Sequence, residues 1–529
     1  MIRVGGGMSS ELWLEILHHL VLSSAPTTMP IQSHKVELRA HVLENRRTLW
    51  AACQVSRQVG ACAREYLYQS ILINNCQELL YIFRTLRTVP ELRSLVRSFS
   101  WTGVLPQSDG DETECIELMP YLLDVFASLP FPISDKDILL HHYLNADNIS
   151  SFRFWRLLAA ILAILPKITT LFLSLGWLMP GPELQQSLID TELGGGGTSA
   201  QREQLFRLQQ KTHEVFAIAA LLERYSSWED YPLTSLGYPL LPELQVLILD
   251  HTSDRSPRFE AVNIDYIVDD LNELCPRLRY IQTKSSISPS PLREPILRGT
   301  NMRHLLLRRQ RSTISTLPQI QAIYPNLTSL CIIGTMLESA GAADNAIQAL
   351  ASLQRLQRLS LSTPHNLTWY NQDPYLPLSK VLRQMISLQH LRIDMIWLAD
   401  RSDPSLLFRI ASVLPTSIQS LHLLDYWAVS MTSFQWERHP VFPENMSALE
   451  FMRLVLENLL QNCRVEGLTN LREVKLSSRE YAKDRSHWTG ARQSLFRLIW
   501  RFLQAGIRLI VNGHEEARDE EDDWWLNLD

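Results

Sequence analysis

The chain has 529 residues, of which 46% are apolar and 20% are charged, so it can bury a large core and is expected to be globular. Its seven cysteines include no CxxC pair and no grouping with histidine that fits a zinc site, which argues against a metal centre and favours a reducing compartment. The formal net charge is −6, and no basic stripe of the kind that binds nucleic acid is present.

The first seventy residues are expected to form three short, apolar helices. Residues 10–20 predict a helix whose apolar side chains recur at a spacing of four. They form two rows, Leu12, Ile16 and Leu20 in one and Trp13, Leu17 and Val21 in the other. Residues 49–57 predict a second helix and residues 59–67 a third. Because so small a unit buries little of its own surface, two apolar faces suggest a protein partner; the alternative is that these helices pack on the next domain.

Segments 10–17, 49–57 and 63–68 together resemble an F-box, in the version found in many filamentous-fungal F-box proteins. The resemblance covers residues 8–70 and has two departures. Met8-Ser9 replaces the usual Leu-Pro start, and Leu22–Asn45 stands where a short loop is expected, an insertion of small entropic cost. The resemblance implies that the helices bind the Skp adaptor of a Skp–cullin–F-box ubiquitin ligase while the remaining chain captures a substrate. The adaptor-facing or supporting positions that it implies are Met8, Leu12, Ile16, Leu17, Leu49, Cys53 and Val55.

A leucine motif of the form L-x-x-L-x-L recurs along the rest of the chain. Its copies begin at Ile168, Leu244, Leu278, Met302, Leu327, Leu356, Leu388, Ile418 and Leu471, with degenerate copies at Leu92 and near Ile507. From Leu244 to Ile418 the copies start 34, 24, 25, 29, 32 and 30 residues apart. Such spacing is typical of leucine-rich repeats that contain helices.

The motif predicts an α/β fold, a leucine-rich-repeat solenoid with parallel strands inside and helices outside. Alternate residues of each L-x-L strand point into the core, and helices at 346–353, 376–385 and 405–414 return the chain to the next strand. F-box proteins commonly carry such repeats, so the two signals agree. The outward strand positions are expected to face the cargo, although a register shift of one residue would invert the assignment. These positions are Phe172, Ile248, Leu306, Ser360, Arg392 and His422.

Three segments interrupt the rhythm of the repeat: 104–150, 180–200 and 425–445. The last contains Tyr426 and Trp427, which we expect either to contact the substrate or to cover the edge of the solenoid. The predicted domains are therefore an F-box-like helical domain at 1–75, the repeat solenoid at 76–513 and an acidic tail at 514–529.

The acidic tail contains eight acidic residues and one arginine and sums to −7, so the other 513 residues sum to +1 (−6 + 7 = +1). A run of this kind is expected to be a solvated tail. The alternative is a docking segment for a basic partner, in which Trp524, Trp525 and Leu526 are apolar anchors.

A search for catalytic motifs finds no nucleophile elbow, no H-E-x-x-H and no dinucleotide fingerprint. The glycine run 194–197 lacks the Lys-Ser/Thr that a phosphate loop requires. The N-terminus does not read as a signal peptide, and the most apolar run, 157–165, is far shorter than the ~20 residues that span a bilayer. We therefore expect no enzyme, no cofactor, no metal, no membrane contact and a cytosolic or nuclear location.

These signals predict a substrate-recognition subunit of a Skp–cullin–F-box ligase, whose partners are a Skp-type adaptor, through it a cullin, and an unknown protein substrate. One rival is a leucine-rich-repeat scaffold without a ligase role, in which the N-terminal helices cap the first repeat. A second rival is an enzyme whose site lies in segment 425–445 or 104–150.

Overall fold

The structure, a computed structural model, describes two-fifths to one-half of the chain in twelve stretches. They are residues 12–17, 36–101, 157–174 without 159, 241–250, 275–283, 301–308, 317–333, 340–362, 378–398, 408–425, 448–478 and 489–513. The described residues up to Leu278 belong to one compact unit and those from Arg279 onward to a second. Several predictions lie outside these stretches, namely those for Met8, Tyr426, Trp427, segments 104–150, 180–200 and 426–445, and the tail 514–529.

The first unit begins with helices and continues into parallel strands. Residues 12–17 are helical (α1). The elements that follow are α2 (Val36–Ala52), α3 (Arg57–Gln69), β1 (Ser70–Ile73), α4 (Cys76–Thr88), a 3-10 turn (Pro90–Ser94), β2 (Ser98–Trp101), β3 (Thr170–Ser174) and β4 (Val246–Asp250). Helical residues also precede β3, at 157–163 with 159 undescribed.

Two local signals start α3 and α4. The hydroxyl of Ser56 accepts a hydrogen bond from the amide of Val59 at 3.1 Å, which satisfies an otherwise unpaired donor of the first turn. At α4, Asn75 Oδ1 accepts from the amide of Glu78 at 2.8 Å, and Glu78 Oε2 accepts from the amide of Asn74 at 2.7 Å. This reciprocal arrangement is a capping box, and it fixes the turn between β1 and α4.

The second helix differs from its predicted bounds of 49–57. It starts at Val36, inside the predicted insertion 22–45, and ends at Ala52. It cannot continue to Arg57 because Ser56 takes an extended conformation as the cap of α3. Strand β1 was not predicted at all, although Ile71, Leu72 and Ile73 are apolar and mostly β-branched, the composition that favours a strand.

The second unit alternates strands with helices or short helical turns. Its strands are β5 (Tyr280–Thr283), β6 (His304–Arg308), β7 (Ser329–Ile333), β8 (Arg358–Ser362), β9 (His390–Asp394), β10 (Ser420–Asp425), β11 (Glu473–Ser478) and β12 (Arg508–Gly513). Its α-helices are α5 (Leu317–Ile323), α6 (Ala340–Ser352), α7 (Ile410–Val413), α8 (Ala448–Asn462) and α9 (Thr489–Gln504). Three 3-10 turns lie at Leu378–Lys380, Leu382–Gln384 and Met395–Trp397.

Within each unit every strand pairs in parallel with the next strand along the chain. The motif leucines stay in register; Leu359, for example, lies opposite Leu330 on one side and Leu391 on the other. The first residue of each of the nine motif copies is at most 4% exposed. The fold is therefore α/β with parallel strands in chain order, as predicted, and is compatible with a solenoid-like arrangement.

The connections between strands are more varied than the sequence suggested. The helix predicted at 346–353 is longer and starts at Ala340, whereas the one predicted at 376–385 consists of two 3-10 turns. Of the helix predicted at 405–414, the structure describes the residues from 408 onward, and these include α7. In the part of the chain that the structure describes, no helix has the length and apolarity needed to cross a membrane.

Candidate partner-binding surface

The three N-terminal helices close over a small hydrophobic cluster of their own. Leu17 of α1, Leu49 of α2, and Cys62 and Ala63 of α3 form its buried centre. Partly buried side chains surround that centre: Trp13, Leu14, Ala52, Cys53, Tyr66 and Leu67. The helices thus share one core, which holds α1 in place although it is separated from α2 in sequence.

A hydrogen bond and a close backbone approach fix the geometry of this helical module. The hydroxyl of Tyr66 donates a hydrogen bond to the carbonyl of Leu14 at 3.0 Å, which ties α3 to α1. Gly60 of α3 passes close to the turn after α2, since a Cβ at position 60 would lie 2.7 Å from the carbonyl oxygen of Cys53. Only glycine fits without a shift of the backbone, so the angle between α2 and α3 depends on Gly60.

Apolar side chains remain on the outer surface of the same module. Leu12 and Ile16, one turn apart on α1, are 49% and 44% exposed. Trp50 at the end of α2 and Val55 in the following turn are also exposed. A helix whose inner row is already buried has no need of a second apolar row for its own folding, so these side chains form a candidate contact surface for another protein.

The predicted adaptor positions separate into two groups in the structure. Leu12, Ile16 and Val55 are exposed, whereas Leu17 and Leu49 are buried supports. Cys53 is half-buried at the edge of the cluster, and burial raises the pKa of its thiol, which fits a packing role rather than a nucleophile. Sequence reasoning omitted Trp50 from the contact set, although its place directly after buried Leu49 turns it about 100° away from the core.

The helical module continues into the strands without a linker. Helix α3 ends at Gln69 and β1 begins at Ser70. The guanidinium of Arg46 on α2 donates a hydrogen bond to the carbonyl of Ser70 at 3.0 Å, and burial lowers the pKa of that arginine. The module therefore packs directly on the first strand of its unit.

The outward strand positions do not form the open surface that we expected. We call the set of these positions in the second unit the middle row; in chain order they are Gln282, Leu306, Cys331, Ser360, Arg392 and His422, each in register with the next. All six are buried, and Arg392 has no exposed surface. Phe172 and Ile248, which lie opposite each other in the first unit, are buried as well.

This burial corrects the predicted exposure of Phe172, Ile248, Leu306, Ser360, Arg392 and His422 but not their alternation with the leucines. The flanking residues, such as Leu391 and Ile393 beside Arg392, belong to the motif and are also buried, so both faces of the strand are covered. Parallel sheets are commonly covered on both faces, and sequence periodicity does not reveal what covers the second one. In the described conformation these six predicted positions are not accessible to a cargo protein.

The middle row contains one arginine and one neutral histidine. His422 lies between Arg392 and Lys475 in the strand register, and its ring Nε2 is 2.8 Å from the hydroxyl of Ser477. Burial, followed by the two cations, holds the pKa of His422 well below its ordinary value. The imidazole is therefore uncharged at neutral pH and serves as a hydrogen-bonding group.

His304 and His390, in a neighbouring row of the same strands, behave similarly. Burial and then the charge of Arg358 lower the pKa of each to about 4; Arg303 contributes further at His304. A histidine with so low a pKa is a poor general acid or base near pH 7. Among the described residues, moreover, no three His, Cys, Asp or Glu side chains are grouped closely enough to hold a metal ion.

In comparisons with known proteins, the chain matches no family model and no curated protein.

Proposed function

We propose that the chain is the substrate-recognition subunit of a Skp–cullin–F-box ubiquitin ligase, with its N-terminal helices docked on a Skp-type adaptor. The observation that carries the proposal is the second apolar row of α1, where Leu12 and Ile16 are exposed while Leu17 fills the inner cluster. The resemblance of residues 8–70 to an F-box indicates which partner would bind this exposed row, namely a Skp-type adaptor.

The leucine motif supports the other half of the role. Leucine-rich repeats stack into arrays whose extended surfaces bind proteins, and the parallel, in-register strands of the second unit are what such stacking requires. Since the middle row is buried, the proposal assigns the cargo to other, exposed residues of the array. The location it implies is the cytosol or the nucleus, where such ligases work.

The proposed chain performs no chemistry of its own. The ligase gains by proximity, because a cargo held on the repeats presents its lysines to the conjugating enzyme at a high effective concentration.

The decisive experiment measures binding of a purified Skp-type adaptor to the full chain by calorimetry. Replacing Leu12 and Ile16 together with alanine is expected to weaken binding at least about 100-fold, since truncating anchors at an interface centre costs about 2–4 kcal/mol each. The control replaces Ile386 and Val465, which are apolar and even more exposed but lie in the second unit, and it should leave the affinity unchanged. Undiminished binding by the first double variant would reject the adaptor surface.

A scaffold without a ligase role is the second candidate, and one observation favours it. The hydrogen bond from Arg46 to the carbonyl of Ser70 and the direct passage from α3 to β1 are what a terminal cap of a repeat array needs. In that case the chain fails to bind any Skp-type adaptor, and Arg46→Ala opens β1 to hydrogen exchange. If the chain binds the adaptor and Arg46 also protects β1 from exchange, the first candidate is retained, because the same helices can bind an adaptor and cap the array.

A further inference from the structure

Helix α9 carries two apolar stripes, of which the chain buries only one. Leu498 and Phe502 are buried against the unit. On a different side of the helix, Phe496, Trp500 and Leu503 are 68%, 61% and 59% exposed. Their spacing of four and then three places them on one continuous line along the helix, which we call the outer stripe.

Helix α9 lies in the last described part of the second unit. Helix α9 packs on α8 and on β12. Strand β12 is the last described strand and pairs with β11. In a repeat array each helix is covered by that of the next repeat, and a terminal helix needs a polar outer side or a cap. The outer stripe is apolar, so it calls for a cap.

The outer stripe is bordered by arginines. Arg497 and Arg501 directly follow Phe496 and Trp500 in sequence and form a row parallel to the outer stripe. Arg508 lies just beyond the helix, at the start of β12. All three are exposed. Arg501 and Arg508 reach glutamates only at 3.8 and 3.9 Å, and such solvent-exposed contacts are weak. The surface therefore suits a segment that is both acidic and apolar.

We propose that the chain's own acidic tail, residues 514–529, is this cap, with Trp524, Trp525 and Leu526 on the outer stripe and the acidic residues 515–523 beside the arginines. The tail begins directly after β12, on which α9 packs. Ten residues separate Gly513 from Trp524 and span up to about 33 Å when extended, which exceeds the ~24 Å length of a 16-residue helix. The charge of −7 and the three apolar anchors match the two features of the surface.

The first test adds a labelled peptide of residues 514–529 to the chain truncated after Gly513 and follows fluorescence anisotropy. The peptide should bind saturably. Its affinity should fall about tenfold or more when the chain carries Phe496→Ala/Trp500→Ala, and by a similar factor when the peptide carries alanine in place of Trp524 and Trp525. The control chain Ile386→Ala, which loses an exposed apolar side chain elsewhere, should bind normally. Equal affinity for the outer-stripe variant would overturn the proposal.

The second test uses the full chain and does not depend on the truncated one. Trypsin cleavage after Arg518 should be at least about threefold faster in Phe496→Ala/Trp500→Ala than in the unmodified chain, because loss of the cap frees the tail, and raising the salt concentration should speed it in the unmodified chain. An unchanged cleavage rate contradicts the proposal. A second result would also contradict it. If sedimentation shows that the full chain is a dimer and that the same substitutions make it a monomer, then a second copy of the chain covers the outer stripe.

Discussion

His422 and Ser477 share a hydrogen bond of 2.8 Å between neighbouring strands, in a part of the sheet where both side chains are buried. The histidine is uncharged there, since burial and the adjacent Arg392 and Lys475 hold its pKa far below the ordinary value. The contact pairs two polar groups that would each be costly to bury alone. It identifies the middle row as an interior feature of the fold.

Replacing Ser477 with alanine is expected to destabilise β10 and β11 by about 1–3 kcal/mol, because the ring nitrogen of His422 would be left buried without its partner. Native-state hydrogen exchange of the amides of these strands measures the effect. Ser360→Ala is the matched control. Its hydroxyl is equally buried but has no hydrogen-bond partner among the described residues, so the same substitution should be nearly neutral. Equal losses in the two variants would show that the contact adds nothing.

Stability should fall as the pH drops from about 6.5 to about 4. In this window His304 and His390 take up protons in the unfolded chain, where the pKa is 6.5, but not in the folded chain, where it is about 4. Unfolding then binds more protons, so the free energy of unfolding decreases as the pH falls. Below about pH 4 both states are protonated and these two residues cause no further loss.

Denaturant unfolding of the full chain between pH 7 and pH 5 measures this slope. The double variant His304→Asn/His390→Asn should show a shallower slope, whatever its stability at pH 7. Between pH 8 and pH 9, where both histidines are neutral in either state, the two chains should have parallel profiles. A variant slope as steep as the original at pH 5–6 would assign the effect to other groups.

Leu17→Ala should destabilise the N-terminal helices by about 2–4 kcal/mol, because it removes a buried side chain from the cluster with Leu49, Cys62 and Ala63. Leu12→Ala should cost no more than about 0.5 kcal/mol, since Leu12 is half exposed. Hydrogen exchange of the amides of α3 distinguishes the two. The contrast also ensures that a loss of adaptor binding in the Leu12 and Ile16 variant is not a loss of folding.

Gly60→Ala should disturb the crossing of α2 and α3 more than Gly506→Ala disturbs the end of α9. A Cβ at position 60 meets the carbonyl oxygen of Cys53 at 2.7 Å, which only a backbone shift relieves. At Gly506, with φ of 78°, the added Cβ meets nothing within 4 Å and the cost is conformational strain of about 1 kcal/mol. Protease cleavage within residues 53–60 should be faster in Gly60→Ala and unchanged in Gly506→Ala. If Gly60→Ala is cleaved no faster than the original chain, the steric argument is wrong.

Several features of the fold follow from short-range pattern and were predictable. The recurring leucines indicate parallel strands because a period of two, repeated every 24 to 34 residues, has few other structural solutions. The buried first leucine of each copy and the inner row of α1 follow from the same periodicity. The bounds of α2 did not, because the cap at Ser56 outweighed an apolar pattern that continued across it.

Other features depend on neighbours that are distant in sequence. The sequence shows two apolar rows on α1, but it does not show which of them is buried; that depends on the surface which α2 and α3 bring together. The covered middle row is the clearest case. Alternation assigns Arg392 and His422 to one side of their strands, but it does not show whether that side meets water or protein. Burial depends on contacts with segments that are distant in sequence, and local periodicity carries no information about those segments.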